Sequence, residues 1–215
     1  MRRGWRRRTQ DWLTRDVAAA TETVRRTRWM AARAARFEFD LGLALADQAA
    51  RLAQDGRLDD ALDVIDEAIG IGRRRAPAEP ARYEPNLAIA LLRKGFWLAE
   101  LDRFDAAGAA MADAAAIFRR LVPTDPERFE PALFAALNAH GAWRHNDDRP
   151  AEALPALREA VGICRRLVRR VPSRYEAELA TALDNLATCL RAVGRVEEAV
   201  PVLAESALIR HRANR

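Results

Sequence analysis

The sequence predicts an all-α solenoid: four helix–turn–helix units repeated every 46 residues, with one extra helix in front. Three observations predict it. One phrase returns four times, as Arg36-Phe37-Glu38, Arg82-Tyr83-Glu84, Arg128-Phe129-Glu130 and Arg174-Tyr175-Glu176. The intervals 82−36, 128−82 and 174−128 are all 46. Between the phrases the apolar residues fall at helical spacing, and no segment alternates with the two-residue period of a strand. A fixed period of this size marks a repeat array, in which each unit buries its apolar face against its neighbours.

Residues 1–9 read as a basic, disordered arm carrying Arg2, Arg3, Trp5, Arg6, Arg7 and Arg8. Residues 10–35 read as a helix, either the second helix of a degenerate half-repeat or a cap. Shifting Arg28 by 46 brings it onto Arg74, Arg120, Arg166 and Arg212. The array then occupies 36–215, as repeats 36–81, 82–127, 128–173 and 174–215. Within each repeat the first helix, A, carries leucines at i, i+4 and beyond: Leu41 and Leu45, Leu87 and Leu91, Leu133 and Leu137, Leu179 and Leu183. Each A helix runs into a break at Asp55-Gly56, Leu101-Asp102, Asp147-Asp148 or Val193-Gly194, where Gly and Asp tolerate turn conformations. A second helix, B, follows, as over Leu58 to Arg75 and Pro150 to Arg169. Pro150 suits a first helical turn, where its missing N–H has no partner to lose, and Pro85 and Pro131 are read the same way at the starts of A helices.

Small residues set the packing. Ala49, Gly95, Gly141 and Ala187 are equivalent; twelve residues on come Ala61, Ala107, Ala153 and Ala199; seven further come Ala68, Ala114, Ala160 and Ser206. A small side chain at each place lets helix A and helix B cross closely. This pattern, carried by "LADQAARLAQDGRLDDAL" (45–62), "LLRKGFWLAELDRFDAA" (91–107) and "LDNLATCLRAVGRVEEAV" (183–200), resembles the tetratricopeptide repeat family. The long-helix, kinesin-light-chain-like bacterial type is the nearest variety. The resemblance implies a right-handed α-solenoid over about 36–212. Two features depart from the family: the period is 46 rather than 34, and Leu45, Leu91, Leu137 and Leu183 stand where an aromatic is usual.

The charge is unevenly spread. Residues 1–36 hold 11 arginines against Asp11, Asp16 and Glu22, a net +8, while residues 37–215 hold 25 basic and 28 acidic residues, a net −3. Lys94 is the sole lysine, so arginine is the chain's default cation, as a GC-rich genome produces. No stretch approaches the roughly 20 apolar residues of a membrane helix, and no signal peptide is read. Cys164 and Cys189 lie in different helices without metal or redox spacing. Reduced thiols and a cytoplasmic location are the expectation.

The resemblance implies that the A helices line a concave face that binds peptide. The matching positions include Asp47, Arg93, Phe96, Asn138, His145, Asp184, Asn185 and Arg191. An asparagine amide offers a donor and an acceptor together, and so can pair with a peptide backbone. Asn138 and Asn185 either do this or bond neighbouring helices inside the array. Arg93 and Arg191 are suited to carboxylates. Trp97 and Trp143 are equivalent positions and read as packing residues, as do Phe37, Tyr83, Phe129 and Tyr175. His140 and His145 stand at i, i+5, on different helix faces, unlike the i, i+4 spacing of helical zinc sites. No metal or cofactor is expected. No phosphate loop, acid–base pair or partnered nucleophile stands in a recognisable motif, so the chain reads as a non-catalytic scaffold for a partner protein or peptide. The alternative is binding of nucleic acid or another acidic surface by the N-terminal arginines, with the array as oligomerisation body. Val200, Leu203 and Leu208 on the last helix predict an uncovered apolar face and self-association through the C-terminal repeat.

Overall fold

The computed structural model describes residues 2–32, 37–146 and 149–213, with side chains over 16–32, 37–145 and 149–212. Among the described residues there are nine helices and no strand. They are α1 (Arg2–Ala31), α2 (Glu38–Gln54), α3 (Leu58–Arg75), α4 (Pro80–Glu100), α5 (Phe104–Leu121), α6 (Pro126–Asn146), α7 (Pro150–Arg170), α8 (Pro172–Ala192) and α9 (Val196–Ala213). The A helices of the four repeats are α2, α4, α6 and α8; the B helices are α3, α5, α7 and α9. The chain divides into two compact units, Met1–Trp97 and Leu98–Arg215, with the division falling inside α4.

Each A helix starts earlier than the apolar pattern suggests. Pro80, Pro126 and Pro172 open α4, α6 and α8, and they too are 46 apart. Pro85 and Pro131 are therefore the sixth residues of their helices rather than first-turn prolines. The missing N–H leaves the carbonyls of Ala81 and Glu127 without an intrahelical partner, a loss tolerated close to a helix start. At the other end of the chain, α1 begins at Arg2, where the sequence suggested an unfolded arm over 1–9. Arginine and tryptophan are acceptable helix residues, and Gly4 is the single breaker in the run.

The A-to-B turns share one geometry. Gly56, Asp102 and Gly194, spaced by one and then two periods of 46, have φ of 76°, 56° and 78°. The amides of these residues reach back to Ala53, Ala99 and Arg191. The amides of the next residues, Arg57, Arg103 and Arg195, reach the carbonyls of Leu52, Leu98 and Leu190. This double closure satisfies the last carbonyls of each A helix and requires a left-handed residue at its centre. The arginine that follows also ties the B helix: Arg57 pairs with Asp60, Arg149 with Glu152 and Arg195 with Glu198.

The repeated phrase is a fastening. Its arginine lies over its aromatic ring: Arg82 is 5.6 Å from the Tyr83 centroid, Arg128 5.0 Å from Phe129 and Arg174 5.2 Å from Tyr175. The rings of Tyr83, Phe129 and Tyr175 are buried. The glutamate reaches the end of a B helix. Glu38 pairs with Arg75 at 3.2 Å. Glu130, 4 % exposed, accepts from Arg166 Nε at 2.9 Å and Arg170 Nη1 at 2.8 Å.

The small residues lie where helices cross. Ala49, Gly95, Gly141 and Ala187, and their partners twelve and nineteen residues on, are all buried. A Cβ built at Gly141 would stand 2.4 Å from Leu157 Cγ, so α6 and α7 can approach only with glycine there. Ser206 keeps its hydroxyl satisfied by donating to the Ala180 carbonyl at 3.2 Å. In the first unit α1 packs on α2 and α2 on α3, and Leu87 of α4 rests against Gly72 of α3. In the second unit α5 to α9 pack in chain order, and α6 also touches α8.

Candidate functional site

The A-helix face carries the candidate binding residues, and each unit presents its own share. In the first unit, α2 and α4 are joined by Arg93, whose Nη1 donates to the Ala46 carbonyl at 3.3 Å. Asp47 is paired with Arg51 at 2.9 Å, and Arg51 also holds Asp16 of α1 at 2.5 Å. Phe96 is 41 % exposed and Leu43 43 % exposed on this face, which gives it an apolar surface between charged groups.

In the second unit, α6 and α8 bring Asn138 and Asn185 together. Asn185 Nδ2 donates to Asn138 Oδ1 at 3.1 Å across a part-buried contact. Asparagine is a poor helix former, and this bond gives both residues a structural reason to stand mid-helix. It uses one donor and one acceptor of the pair. The two amides carry four N–H and four carbonyl lone pairs between them, so three of each remain beyond this bond. Asp184 is bound to Arg210 of α9. Arg191 is exposed and makes no side-chain ion pair among the described residues. His145 is half-buried, and its Nδ1 has no hydrogen-bond partner among the described residues. Thr181 and Thr188 donate to carbonyls of their own helix at 3.0 and 2.8 Å, so their hydroxyl lone pairs face outward.

Sequence reasoning placed these residues on one helix face and left open whether Asn138 and Asn185 meet a peptide or neighbouring helices; the structure bonds them to each other between α6 and α8. Arg51, the Ala46 carbonyl and Arg210 were absent from that reasoning. A signal for two of the contacts existed: Arg93 lies 47 residues after Ala46, and Asn185 lies 47 after Asn138. One period plus one residue is the step between neighbouring A helices on this face.

The remaining reactive groups are packed away. His140 Nδ1 bonds the Gly108 carbonyl at 2.8 Å, and burial pushes its pKa below the usual histidine value, with Arg144 and Arg119 adding to the effect. Burial pushes the Cys164 thiol up to about 12 and the Cys189 thiol up to about 11, so neither supplies a thiolate nucleophile at neutral pH. Among the described residues no group of three or more His, Cys, Asp or Glu side chains is placed to hold a metal ion. No helix among them is long and apolar enough to cross a membrane. The side chains of Arg2, Arg3, Trp5, Arg6, Arg7 and Arg8 lie outside the described residues, although their backbone is part of α1.

Comparison with known proteins agrees with this geometry. The tetratricopeptide repeat model matches residues 179–214, which takes in the last two-thirds of α8 and all of α9. No characterised protein sequence compared with the chain matches it significantly. Solved structures do match. A kinesin-light-chain-like protein of Podosopora anserina with nearly identical TPR-like repeats aligns with a TM-score of 0.62 at 18% identity, over 97% of this chain and 96% of that one. BtubC (BKLC) from P. vanneervenii aligns with a TM-score of 0.51 at 17% identity, over 94% and 92%. MamA of MSR-1 gives 0.52 at 14% identity, over 93% and 98%. At these identities the structural matches speak for the fold, the helical-repeat solenoid. The tetratricopeptide model covers the last repeat, and the 46-residue internal period carries a similar pattern through the three repeats before it. Repeats of this kind generally serve as scaffolds for protein interactions.

Proposed function

We propose that the chain is a non-catalytic scaffold that binds an extended segment of a partner protein on its A-helix face. The observation that carries this reading is the Asn138–Asn185 amide pair. Its spare N–H and spare carbonyl match the acceptor and donor of a peptide backbone, so it recognises extended chain without demanding a particular side chain. Thr181 and Thr188 lie on the same helix and add acceptors, and Arg191 supplies a cation for an acidic side chain or carboxylate. His145 and Asp184 belong to the same face, Asp184 acting through its Arg210 partner. In the first unit Phe96 offers an apolar anchor beside Arg93, and Asp47 with Arg51 edges it. Arg93 is already committed to a carbonyl, so its part is to fix α4 against α2 rather than to capture a carboxylate.

A panel of unstructured peptides displayed on phage and selected against the intact chain tests the reading. The selected peptide should bind the Asn138→Ala/Asn185→Ala variant at least tenfold more weakly, a change of about 1.4 kcal/mol. The variant should melt within a few degrees of the parent, since the bond removed is a single part-buried one worth about 1 kcal/mol. Unchanged affinity in a folded variant would move the binding surface elsewhere.

The rival reading, binding of nucleic acid or an acidic surface through the basic start of α1, has one observation in its favour. The helix carries five arginines between Arg2 and Arg8. Deleting residues 2–8 separates the two readings. It should leave peptide affinity intact under the first, and should abolish a strongly salt-dependent association under the second.

A further inference from the structure

The amide pair between α6 and α8 has a donor side and an acceptor side. Asn185 Nδ2 donates to Asn138 Oδ1 at 3.1 Å. Asn138 therefore keeps both of its N–H groups and one carbonyl lone pair, while Asn185 keeps both carbonyl lone pairs and one N–H. Donors predominate on α6 and acceptors on α8. The neighbours sharpen the contrast. Thr181, Asn185 and Thr188 stand at i, i+4 and i+7, so they share one face of α8. The two threonine hydroxyls spend their protons on the Ala177 and Asp184 carbonyls at 3.0 and 2.8 Å, and present only lone pairs. The Asp184 carboxylate beside them is held by Arg210. On α6 the residues one turn to either side of Asn138 are Ala135 and Ala142, which carry no polar side-chain atom.

We infer that the segment bound on this face lies in one direction only, with its N-terminal side over α8 and its C-terminal side over α6. The inference rests on the scaffold reading above. In extended chain, alternate residues point their own N–H and C=O to the same edge, as in a hydrogen-bonded pair of an antiparallel sheet. Within such a residue the N–H precedes the C=O along the chain. Asn185 Oδ1 is free to accept that N–H, and Asn138 Nδ2 is free to donate to that C=O. The two asparagines together act as the opposing residue of a strand pair. The segment then crosses from the fourth repeat to the third, against the order of the chain that binds it. The reverse direction would set the segment's N–H against Asn138, which has one lone pair left, and its C=O against Asn185, which has one N–H left. That C=O would also face the lone pairs of Thr181 and Thr188. An acceptor set against acceptors loses its hydrogen bond without replacement.

Nuclear magnetic resonance on the isotope-labelled 215-residue chain tests the direction. The probe is the phage-selected peptide, trimmed to its binding core and carrying a nitroxide at one end or the other. The N-terminal label should broaden the amide signals of Thr181–Thr188 more than those of Ala135–Ala142, and the C-terminal label should reverse that order. A backbone change gives a second reading without a label. Replacing the N–H of the anchored residue by an ester oxygen should weaken binding about fivefold in the parent chain, the worth of one hydrogen bond. The same ester should cost nothing in Asn185→Ala and should still cost affinity in Asn138→Ala. The opposite pattern of broadening, equal broadening of both helices by both labels, or an ester loss that vanishes in Asn138→Ala instead would overturn the direction and leave peptide binding standing. Labels that broaden neither helix would overturn the scaffold reading on this face, and the direction with it.

Discussion

Gly141 and Gly162 are both helix glycines, yet they should respond to alanine in opposite directions. At Gly141 the new methyl would overlap Leu157, a fully buried side chain between α6 and α7. Overpacking of this kind costs about 2 kcal/mol. At Gly162 nothing stands within 4 Å, so alanine should stabilise by about 0.5–1 kcal/mol through helix propensity alone. Urea unfolding of the two variants checks the pair. His140 gives a pH signature. Its folded pKa is lowered, so the neutral ring is favoured in the fold and the unfolded chain takes up its proton first. Stability should therefore fall as pH drops below about 6.5, the ordinary histidine value, and level off below the depressed folded value. His140→Gln should flatten that part of the curve, measured as melting temperature against pH. The repeated small residues and aromatics were legible in the sequence because one residue type recurs at one place in every unit. The role of the phrase's glutamate was not, since its arginine partners stand at different offsets: Arg75 for Glu38, but Arg166 and Arg170 for Glu130.

At the scale of helices, the shared A-to-B turn makes a graded prediction. Gly194→Ala forces a Cβ into a left-handed residue and should cost about 1 kcal/mol or more. Asp102 already sits at φ 56°, so Asp102→Gly should raise the melting temperature by relieving the strain it carries. The Gly-Asp breaks were visible in the sequence because left-handed residues have few possible identities. The true starts of the A helices were not. The leucine pattern begins at Leu87, Leu133 and Leu179, whereas α4, α6 and α8 open at Pro80, Pro126 and Pro172, which are exposed and lie outside that pattern. The B helices also bear ion pairs at a near-constant separation: Arg119 with Glu159, Arg158 with Glu198 and Arg165 with Glu205, each 40 residues apart. All are solvent-exposed, and exposed pairs contribute little. Arg165→Ala should cost under ~1 kcal/mol by denaturant unfolding. The pairs act on alignment, because any slip of α9 along α7 would break the Arg158 and Arg165 contacts together.

For the whole molecule, the helical-repeat architecture followed from the period and the helical spacing, and the resemblance to tetratricopeptide repeats from the small residues within it. The candidate binding face was legible only as a set of positions. A helical projection names the residues that face one way; it does not reveal that Arg93 is spent on the Ala46 carbonyl, that Asp184 is held by Arg210, or that Asn138 and Asn185 hold each other. Those contacts depend on how neighbouring A helices are stepped, which no single repeat encodes. The account's central claim is that the partly satisfied amide pair is where a partner's backbone is read. The most direct measurement is isothermal titration of the phage-selected peptide into the parent chain and into Asn138→Ala/Asn185→Ala, with circular dichroism melts alongside. The account predicts at least a tenfold loss of affinity with the fold retained. Equal affinity in both proteins, or an affinity lost only because the variant unfolds, would contradict it.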